Sequence, residues 1–374
     1  MANNNNNKTL NVPNKRFPEF IGEWKTCSLN DIATFMKDKI NTTNLSIDDY
    51  VSTENMKSNF SGVDTAISVP ESTNAVRYKK GDVLISNIRP YLKKVWAANR
   101  NGGCSADVFV FRAKKLSPSF LHYVMANDTF INYVMTGAKG VKMPRGDKQQ
   151  ILKYTLAVPM AEEQHKICHL MTLLDERIST QNKIIDKLQS LIKGIYSFVF
   201  KNNTYKECFL LGDIANLYQP QTIASTELNE NGKYIVYGAN GIIGRYDYYN
   251  HERPQIIITC RGNTCGTVNF TSDHCWITGN SMVINMEQFV STVYQKYLLH
   301  YLNSLDYSSV ISGSGQPQIV RESLKKVKVY LPSLLEQTEV ANSIDKVLAK
   351  FSLEQRLLDG LVTQKRYLLQ QMFI

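Results

Sequence analysis

Cysteine and histidine are the residues of this sequence best suited to chemistry, but their spacing does not favour a metal centre. Cys260 and Cys265, with the adjacent pair His274 and Cys275, combine a four-residue gap with neighbouring ligands, which suits tetrahedral zinc poorly. Two other histidines, four residues apart in a predicted helix, lack the HExxH pattern of zinc proteases. The seven cysteines include no CxxC pair, which is typical of reduced thiols in the cytoplasm.

Motifs for nucleotide or cofactor chemistry are missing as well. The sequence has no GxxxxGK(S/T) phosphate loop and no glycine-rich dinucleotide or S-adenosylmethionine fingerprint after a strand. It also has no Pro-Pro pair, which excludes the Asn/Asp-Pro-Pro-aromatic box of adenine methyltransferases. No nucleophile, base and orienting group stand at a spacing that supports catalysis. The sequence therefore predicts a binding protein that catalyses no reaction and binds no cofactor itself.

Basic and amide side chains in glycine-rich segments are the candidates for binding an anionic partner. The net charge is +10 and the pI is near 9.1. From Arg16 to Met160 the sequence has 20 Lys and Arg against 13 Asp and Glu, but from Lys201 to Pro332 the counts are 11 and 10. Arginine, asparagine and glutamine can bridge two atoms of a base edge, and glycine lets the backbone approach phosphates. The candidate DNA contacts are Arg89, Lys93, Lys94, Lys139, Lys142, Arg145, Tyr237, Arg245, Arg261, Gln316, Gln318 and Arg321. For each one, an ordinary solvated surface residue is the alternative.

Two long helices with heptad repeats must position these residues. Both begin after a proline, in VPMAEEQHKI and LPSLLEQTEV, and they align at a constant offset from Pro159 with Pro332 to Val199 with Met372. Their apolar residues follow a coiled-coil spacing, and we expect these residues to form the helix pair and to support subunit docking. These are Met171, Leu174, Ile178, Ile185, Leu188, Ile192, Ile344, Val347, Phe351, Leu358, Leu361 and Leu368. Gln181, Glu354 and Lys365 interrupt the seam; they either set its register or lie at frayed, exposed points.

The remaining sequence repeats in the same order. LLGDIA in the second copy corresponds to SLNDIA in the first. Each copy then continues with two apolar strands (81–86 and 106–112; 255–259 and 280–285), one helical stretch (119–135; 291–305) and a glycine-rich loop. We predict an α+β fold with two mixed α/β target-recognition domains, separated by two long antiparallel coiled-coil helices in a pseudo-two-fold internal repeat. The predicted boundaries are a flexible Asn-rich leader at 1–15, domains at 16–160 and 205–332, and spacer helices at 161–204 and 333–374.

The helices are long enough to act as a spacer. About 38 residues at ~1.5 Å each span roughly 57 Å, which exceeds one turn of DNA at ~34 to 36 Å. Because the first helix leads into the second domain and the second helix follows it, paired seams would be antiparallel. Antiparallel helices of this kind imply a two-fold axis that relates the two halves of the chain. A protein with two basic domains related by a two-fold axis matches the local two-fold symmetry of duplex DNA.

Several segments together resemble one family. RFPEFIGEW, the paired SLNDIA and LLGDIA, YGANGIIGRYDYYNH, TCRGNTCGTVNF with WITGNSMVI, SGSGQPQI and both helix starts are similar to the DNA-specificity subunit of type I restriction-modification systems. The resemblance runs from about Arg16 onward. It implies that each domain reads half of a bipartite, asymmetric site in double-stranded DNA. It also implies two methyltransferase subunits that use S-adenosylmethionine on adenine, and two restriction subunits that use ATP and magnesium to translocate and cut DNA.

Two alternatives remain open at the level of sequence. One is a fused nuclease or methyltransferase, which the missing motifs disfavour. The other is a coiled-coil interaction protein whose positive charge is incidental. No apolar run reaches the ~18 residues of a membrane span, so we expect a cytoplasmic protein with no membrane partner.

Overall fold

The computed structural model describes residues 11–201, 206–239, 241–313 and 315–374 and forms two compact units. Unit 1 contains Met1–Asn182 and Leu357–Ile374, and unit 2 contains Lys183–Arg356. The units therefore divide both long helices, whereas our predicted boundaries separate helices from domains. Each domain core includes part of both helices, because the inner faces of the helices supply apolar residues that the domain buries.

Unit 1 contains short strands and helices followed by the first part of a long helix. In chain order its elements are β1 (Lys25–Ser28), α1 (Leu29–Ile32), β2 (Ala33–Phe35), β3 (Lys39–Asn41), β4 (Tyr50–Val51), β5 (Asn74–Tyr78), β6 (Val83–Ser86), β7 (Val95–Ala97), β8 (Gly102–Cys104), β9 (Val108–Ala113), α2 (Pro118–Met125), α3 (Asp128–Thr136), α4 (Lys148–Leu152), β10 (Thr155–Val158) and α5 (Ala161–Lys201), whose last part lies in unit 2.

Unit 2 repeats most of this order. Its elements are β11 (Glu207–Leu210), α6 (Leu211–Ile214), β12 (Asn216–Tyr218), β13 (Tyr234–Gly238), β14 (Gly241–Tyr246), β15 (Ile256–Thr259), β16 (Val268–Phe270), β17 (Trp276–Ile277), β18 (Ser281–Asn285), α7 (Gln295–Asn303), β19 (Ile311–Ser312), β20 (Gln318–Ile319), α8 (Arg321–Lys325), β21 (Lys328–Leu331) and α9 (Leu334–Met372), whose last part lies in unit 1.

One sheet has the same topology in both units, and the other does not. The antiparallel order β2-β9-β6-β7 in unit 1 corresponds to β12-β18-β15-β16 in unit 2, and the pair β1-β10 corresponds to β11-β21. The central strands β6 and β15 are buried at every position, in agreement with the three consecutive apolar residues that begin each strand. The second sheet is β3-β5-β8-β4 in unit 1 but β14-β13-β17 in unit 2. The repeat is thus a common framework that carries two different sheets.

The helical stretch predicted at 119–135 is two helices. Asn127 has extended backbone angles, and its side chain accepts a hydrogen bond from the Thr129 backbone N–H, so it ends α2 and caps α3. Its amide also donates to the Leu369 carbonyl of α9 at 3.0 Å. The apolar pattern of this segment did not reveal the break, because both helices bury apolar residues.

The two long helices have the predicted seam. All the predicted apolar seam residues are buried or half-buried, and so are the polar residues of the seam. Gln181 is 5% exposed and Glu354 is 7% exposed, which is inconsistent with frayed or solvated positions. Helix α5 ends at Lys201 and α9 ends at Met372; residues 202–204, which we assigned to the first helix, lie outside the described residues.

The helices are antiparallel within each unit. In unit 1, Asp175 near the start of α5 forms an ion pair with Lys365 near the end of α9. In unit 2, Phe200 at the end of α5 belongs to the same core as Ala341 and Ile344 at the start of α9. The predicted α+β class, internal repeat and antiparallel helices are therefore confirmed.

A buried glutamine attaches each domain to its long helix. Gln164 Nε2 donates to the Pro159 carbonyl at 2.8 Å, and its Oε1 accepts from the Ser117 N–H, which starts α2. Gln337, its counterpart in the repeat, donates to the Pro332 carbonyl at 2.9 Å and accepts from the Tyr294 N–H, which starts α7. The glutamine of the shared Glu-Gln dipeptide therefore has the same structural role in both copies.

The preceding glutamate differs between the copies. Glu163 is fully buried, where Arg16 binds both of its carboxylate oxygens at 2.7 Å and Trp24 Nε1 donates to it at 3.1 Å. Its counterpart, Glu336, is exposed and accepts from the backbone and hydroxyl of Ser333. The buried pair depends on the segment before β1, which has no matching sequence in unit 2.

The start of the described chain packs on unit 1. The Trp24 N–H donates to the Asn11 carbonyl at 2.8 Å, and the Lys15 N–H donates to the Gln371 carbonyl at 2.9 Å. The predicted flexible leader includes residues 11–15, and these bonds place them against the domain instead. The Asn tract itself lies outside the described residues.

Candidate nucleic-acid interface

A loop returns to the end of the central strand in unit 1 and forms what we call the unit 1 edge, residues 87–94 and 137–147. The Gly146 N–H donates to the Asn87 carbonyl at 3.0 Å, and the Arg89 N–H donates to the Pro144 carbonyl at 2.8 Å. Lys139 and Arg145 exchange two backbone hydrogen bonds at 2.9 Å, which close the loop into a hairpin. The loop tip is therefore held by backbone bonds, and its side chains are free to vary.

The unit 2 edge repeats this attachment. It comprises residues 260–266 and 310–319, of which residue 314 lies outside the described residues. The Ile319 N–H donates to the Cys260 carbonyl, and the Gly262 N–H donates to the Pro317 carbonyl, both at 3.0 Å. Ser312 pairs with Gln318 in the hairpin. All of these positions lie at the same sequence offset from their counterparts in unit 1. Both units thus hold their hairpin by the same set of backbone hydrogen bonds, which we call the backbone mount.

The unit 1 edge carries exposed cations, some of them paired with acids. Arg89, Lys139, Lys142 and Arg145 are exposed. Arg145 forms an ion pair with Asp107 at 2.9 Å, and Lys139 forms one with Asp147 at 3.2 Å. Exposed pairs of this kind contribute little to stability, so they can exchange the carboxylate for another anion. Four of the predicted contacts therefore lie together on one edge.

Lys93 and Lys94 have partners inside unit 1. The Lys93 ammonium forms an ion pair with Asp128 at 2.7 Å, and Lys94 Nζ donates to the Thr53 carbonyl at 2.5 Å. Both side chains are half-buried. These lysines adjoin the edge but are less available to a ligand than Arg89.

Four of the predicted contacts in unit 2 are exposed on or next to its edge. Arg261 pairs with Gln318 through a backbone bridge, and Gln316 lies in the same hairpin. Arg321 begins α8 just after the loop and lies 3.4 Å from Glu322. Where unit 1 has Lys139, Lys142 and Arg145, unit 2 has the uncharged residues Ser312, Gly315 and Gln318.

Tyr237 and Arg245 have structural partners instead. Tyr237 is 8% exposed, and its hydroxyl accepts from the Ser272 N–H at 3.0 Å. The guanidinium of Arg245 donates to the Gly232 and Lys233 carbonyls at 2.5 and 2.8 Å. The core position of Tyr237 leaves it little surface for a ligand. Arg245 remains exposed, and its bonds to the two carbonyls fix the chain before β13.

The residues predicted to dock subunits line the seam. They are buried or half-buried within the chain, so they have little surface for a partner. Sequence reasoning missed other apolar residues of α5 that face outward: Leu173, Ile184, Leu191 and Phe198 are 37–79% exposed. Their spacing of seven or eleven residues is the signal that could have identified them.

Neither a metal site nor a membrane span is present in the described part of the chain. Among these residues, no group of three or more His, Cys, Asp or Glu side chains is placed to hold a metal ion. Within the same ranges, none of the helices has the length and apolar character needed to span a bilayer.

The architecture defines a tandem protein in which two unlike sheets and two unlike edges share one framework. A family model described as the type I restriction modification DNA specificity domain matches residues 21–190 and 204–362. The chain belongs to this family.

Individual relatives agree with this assignment. The chain is 24% identical over 198 residues to the type I restriction enzyme EcoDI specificity subunit of Escherichia coli, and the match covers 50% of this chain but only 44% of that one. It is 24% identical over 272 residues to a putative type I specificity subunit of Mycoplasma pneumoniae, which covers 68% and 71% of the two chains.

Solved structures share the fold. The crystal structure of the S subunit of a type I restriction-modification system from M. genitalium has a TM-score of 0.69 at 16% identity, with 97% of this chain and 99% of that chain covered. A second structure, from work on complex assembly of the type I system, has a TM-score of 0.57 at 19% identity, with 93% and 96% covered.

Proposed function

We propose that this chain is the DNA-reading specificity subunit of a type I restriction-modification complex. Each unit reads one half of a bipartite, asymmetric site in double-stranded DNA through its edge. The observation that carries this proposal is the repeated mount: the same backbone bonds, at a constant sequence offset, present unlike side chains. A fixed mount with variable side chains suits two readers that recognise different bases.

The long helices act as a ruler in this proposal. A wrong base pair costs only ~1 to 3 kcal/mol, so a short half-site is weakly discriminated. Two linked readers gain specificity only when the distance between their half-sites fits, because the second contact is then intramolecular. The buried and half-buried seam along both helices supports this role, since packed heptad residues hold paired helices in register.

The same helices provide docking surfaces. The outward apolar residues of α5, together with exposed Leu353 and Leu357 of α9, fit the docking of two methyltransferase subunits. These subunits would supply S-adenosylmethionine chemistry on adenine, and two restriction subunits would supply ATP-driven, magnesium-dependent cleavage. The chain itself binds none of these cofactors in this proposal. Its complex would act in the cytoplasm, where the DNA is.

A segment exchange tests the division into two readers. Residues 210–329 are replaced by the corresponding segment of another specificity subunit, and the methylated adenines of host DNA are mapped by sequencing. We expect one half-site to change while the other half-site and the gap between them remain. A change in both half-sites would contradict the proposal.

A helix insertion tests the ruler. One heptad added at matched positions of both long helices adds roughly 10.5 Å of rise, so we expect the gap to grow by about three base pairs. Both half-sites should stay the same. An unchanged gap in the mapped methylation sites would exclude the ruler.

A further inference from the structure

The hairpin of β13 and β14 in unit 2 presents two neighbouring isoleucines to solvent. Ile242 is 61% exposed and Ile243 is 42% exposed. In a regular strand, neighbouring side chains point to opposite faces. Here the register shifts between Val236 and Tyr237, so that Ile243 is an extra residue in β14. A bulge of this kind redirects side chains, and it explains how both isoleucines reach the surface.

The position of the turn depends on glycines. A Cβ added to Gly238 would lie 2.8 Å from Ile243 Cδ1, so the isoleucine packs over a residue that must lack a side chain. Gly241 has φ +81°, a backbone conformation that favours glycine, and no atom lies within 4 Å of a Cβ added to it.

Hydrogen bonds fasten this turn to the unit 2 edge. The carbonyl of Ala239, in the turn, accepts from the hydroxyls of Thr259 at 2.6 Å and Thr264 at 3.1 Å. Thr259 ends β15, and the strand leads directly into Cys260 and Arg261 of the edge. The exposed isoleucines therefore adjoin the proposed DNA contacts of unit 2.

The other end of the hairpin is fixed by aromatic contacts. Tyr246 packs edge-on against Trp276 at 5.2 Å between ring centroids, and Tyr234 packs against Tyr249 at 5.0 Å. With both ends held, the hairpin can place its tip against a ligand with little loss of conformational entropy.

We propose that Ile242 and Ile243 contact DNA bases and supply apolar binding energy that the weakly charged unit 2 edge lacks. This inference rests on the proposed function and adds a mode of recognition to it. Apolar side chains can contact the thymine methyl in the major groove or press between base steps, and neither contact releases counterions. Exposed Val141 and Met143 occupy the loop tip of the unit 1 edge, so both edges combine polar and apolar groups.

Salt dependence distinguishes an apolar contact from a phosphate contact. A duplex carrying the methylated site mapped for the wild type is titrated with the purified full chain at several salt concentrations. For Ile242→Ala/Ile243→Ala we expect affinity to fall about tenfold at every salt concentration, with the slope of log K against log salt unchanged. Arg261→Gln should instead reduce the slope.

Val290→Ala is the matched control. Val290 is 68% exposed in unit 2 and follows β18, beyond the end of the sheet opposite Thr259. We expect this variant to bind like the wild type. Ile242→Val/Ile243→Val should retain most of the affinity, and thermal unfolding checks that each variant is folded.

The outcomes separate the two proposals. If the wild-type chain does not bind the duplex, the proposed function fails. Two outcomes would show that the isoleucines do not supply apolar contacts and that this inference is wrong. In the first, the wild type binds and the folded double-alanine variant binds within twofold of it. In the second, the variant loses affinity only through a smaller salt slope.

Discussion

The two edges of this protein differ in their side chains and agree in their backbone. In unit 1 the hairpin carries Lys139, Lys142 and Arg145, and in unit 2 the equivalent positions are uncharged. The backbone hydrogen bonds that hold the two hairpins join corresponding positions: Gly146 donates to Asn87 in unit 1, as Ile319 donates to Cys260 in unit 2. The mount is therefore specified by backbone geometry and buried contacts, whereas under the proposed function the few exposed residues that differ would select the DNA sequence.

The largest expected difference between the units concerns the buried carboxylate. Glu163→Ala leaves Arg16 and the Trp24 Nε1–H without their acceptor, and because Arg16 is only half-buried we expect a loss of about 3 kcal/mol, the lower end of the range for breaking a buried pair. We therefore expect faster hydrogen exchange throughout unit 1. The matched Glu336→Ala removes an exposed cap in unit 2 and should have a much smaller effect. Equal losses in the two units would show that the pair with Arg16 has no special role.

The second expected difference is electrostatic: removing the cations of the unit 1 edge should weaken the salt dependence of DNA binding. DNA binding by the triple variant Lys139→Gln/Lys142→Gln/Arg145→Gln should depend less on salt. The slope of log K for DNA binding against log salt concentration should fall by about 0.9 for each replaced side chain that contacts a phosphate in the wild type. The control Lys79→Gln/Lys80→Gln/Lys115→Gln removes equal charge at the opposite end of the same sheet, since β6 and β9 are antiparallel. A control that reduces the slope as much as the edge variant would mean that only the overall charge matters.

The smallest expected effect tests the similarity of the framework. Gln164→Ala leaves the Ser117 N–H and the Pro159 carbonyl without this partner. Gln337→Ala leaves the Tyr294 N–H and the carbonyls of Thr292 and Pro332 without theirs, and each variant should lose about 1 to 3 kcal/mol. We expect similar losses of protection in units 1 and 2, measured by hydrogen exchange, and no change for exposed Gln189→Ala. A loss confined to one unit would contradict a shared framework.

Much of the framework could be predicted from the sequence because it is repetitive. Heptad spacing located both helices, and the constant offset between the copies identified the paired strands and loops. The break at Asn127 was missed, because a capping side chain changes the chain direction without interrupting the apolar pattern.

The candidate site could be predicted only in part. Exposed cations such as Lys142 and Arg145 follow from composition and loop position. Whether a polar group is free depends on contacts far along the chain: Tyr237 is buried and Arg245 binds two carbonyls, although both stand in a glycine-rich segment typical of a ligand site. The exposure of Ile242 and Ile243 depends on one extra residue in a strand, which no local pattern records.

The division of the long helices between the units has a consequence for biosynthesis. Unit 2 is a single stretch of chain, Lys183–Arg356, so the ribosome delivers it without interruption. The core of unit 1 also needs Leu369 and Met372, which are made after all of unit 2. The domain translated first is therefore completed last, and a nascent chain stalled before residue 357 would present an unfinished apolar surface to chaperones.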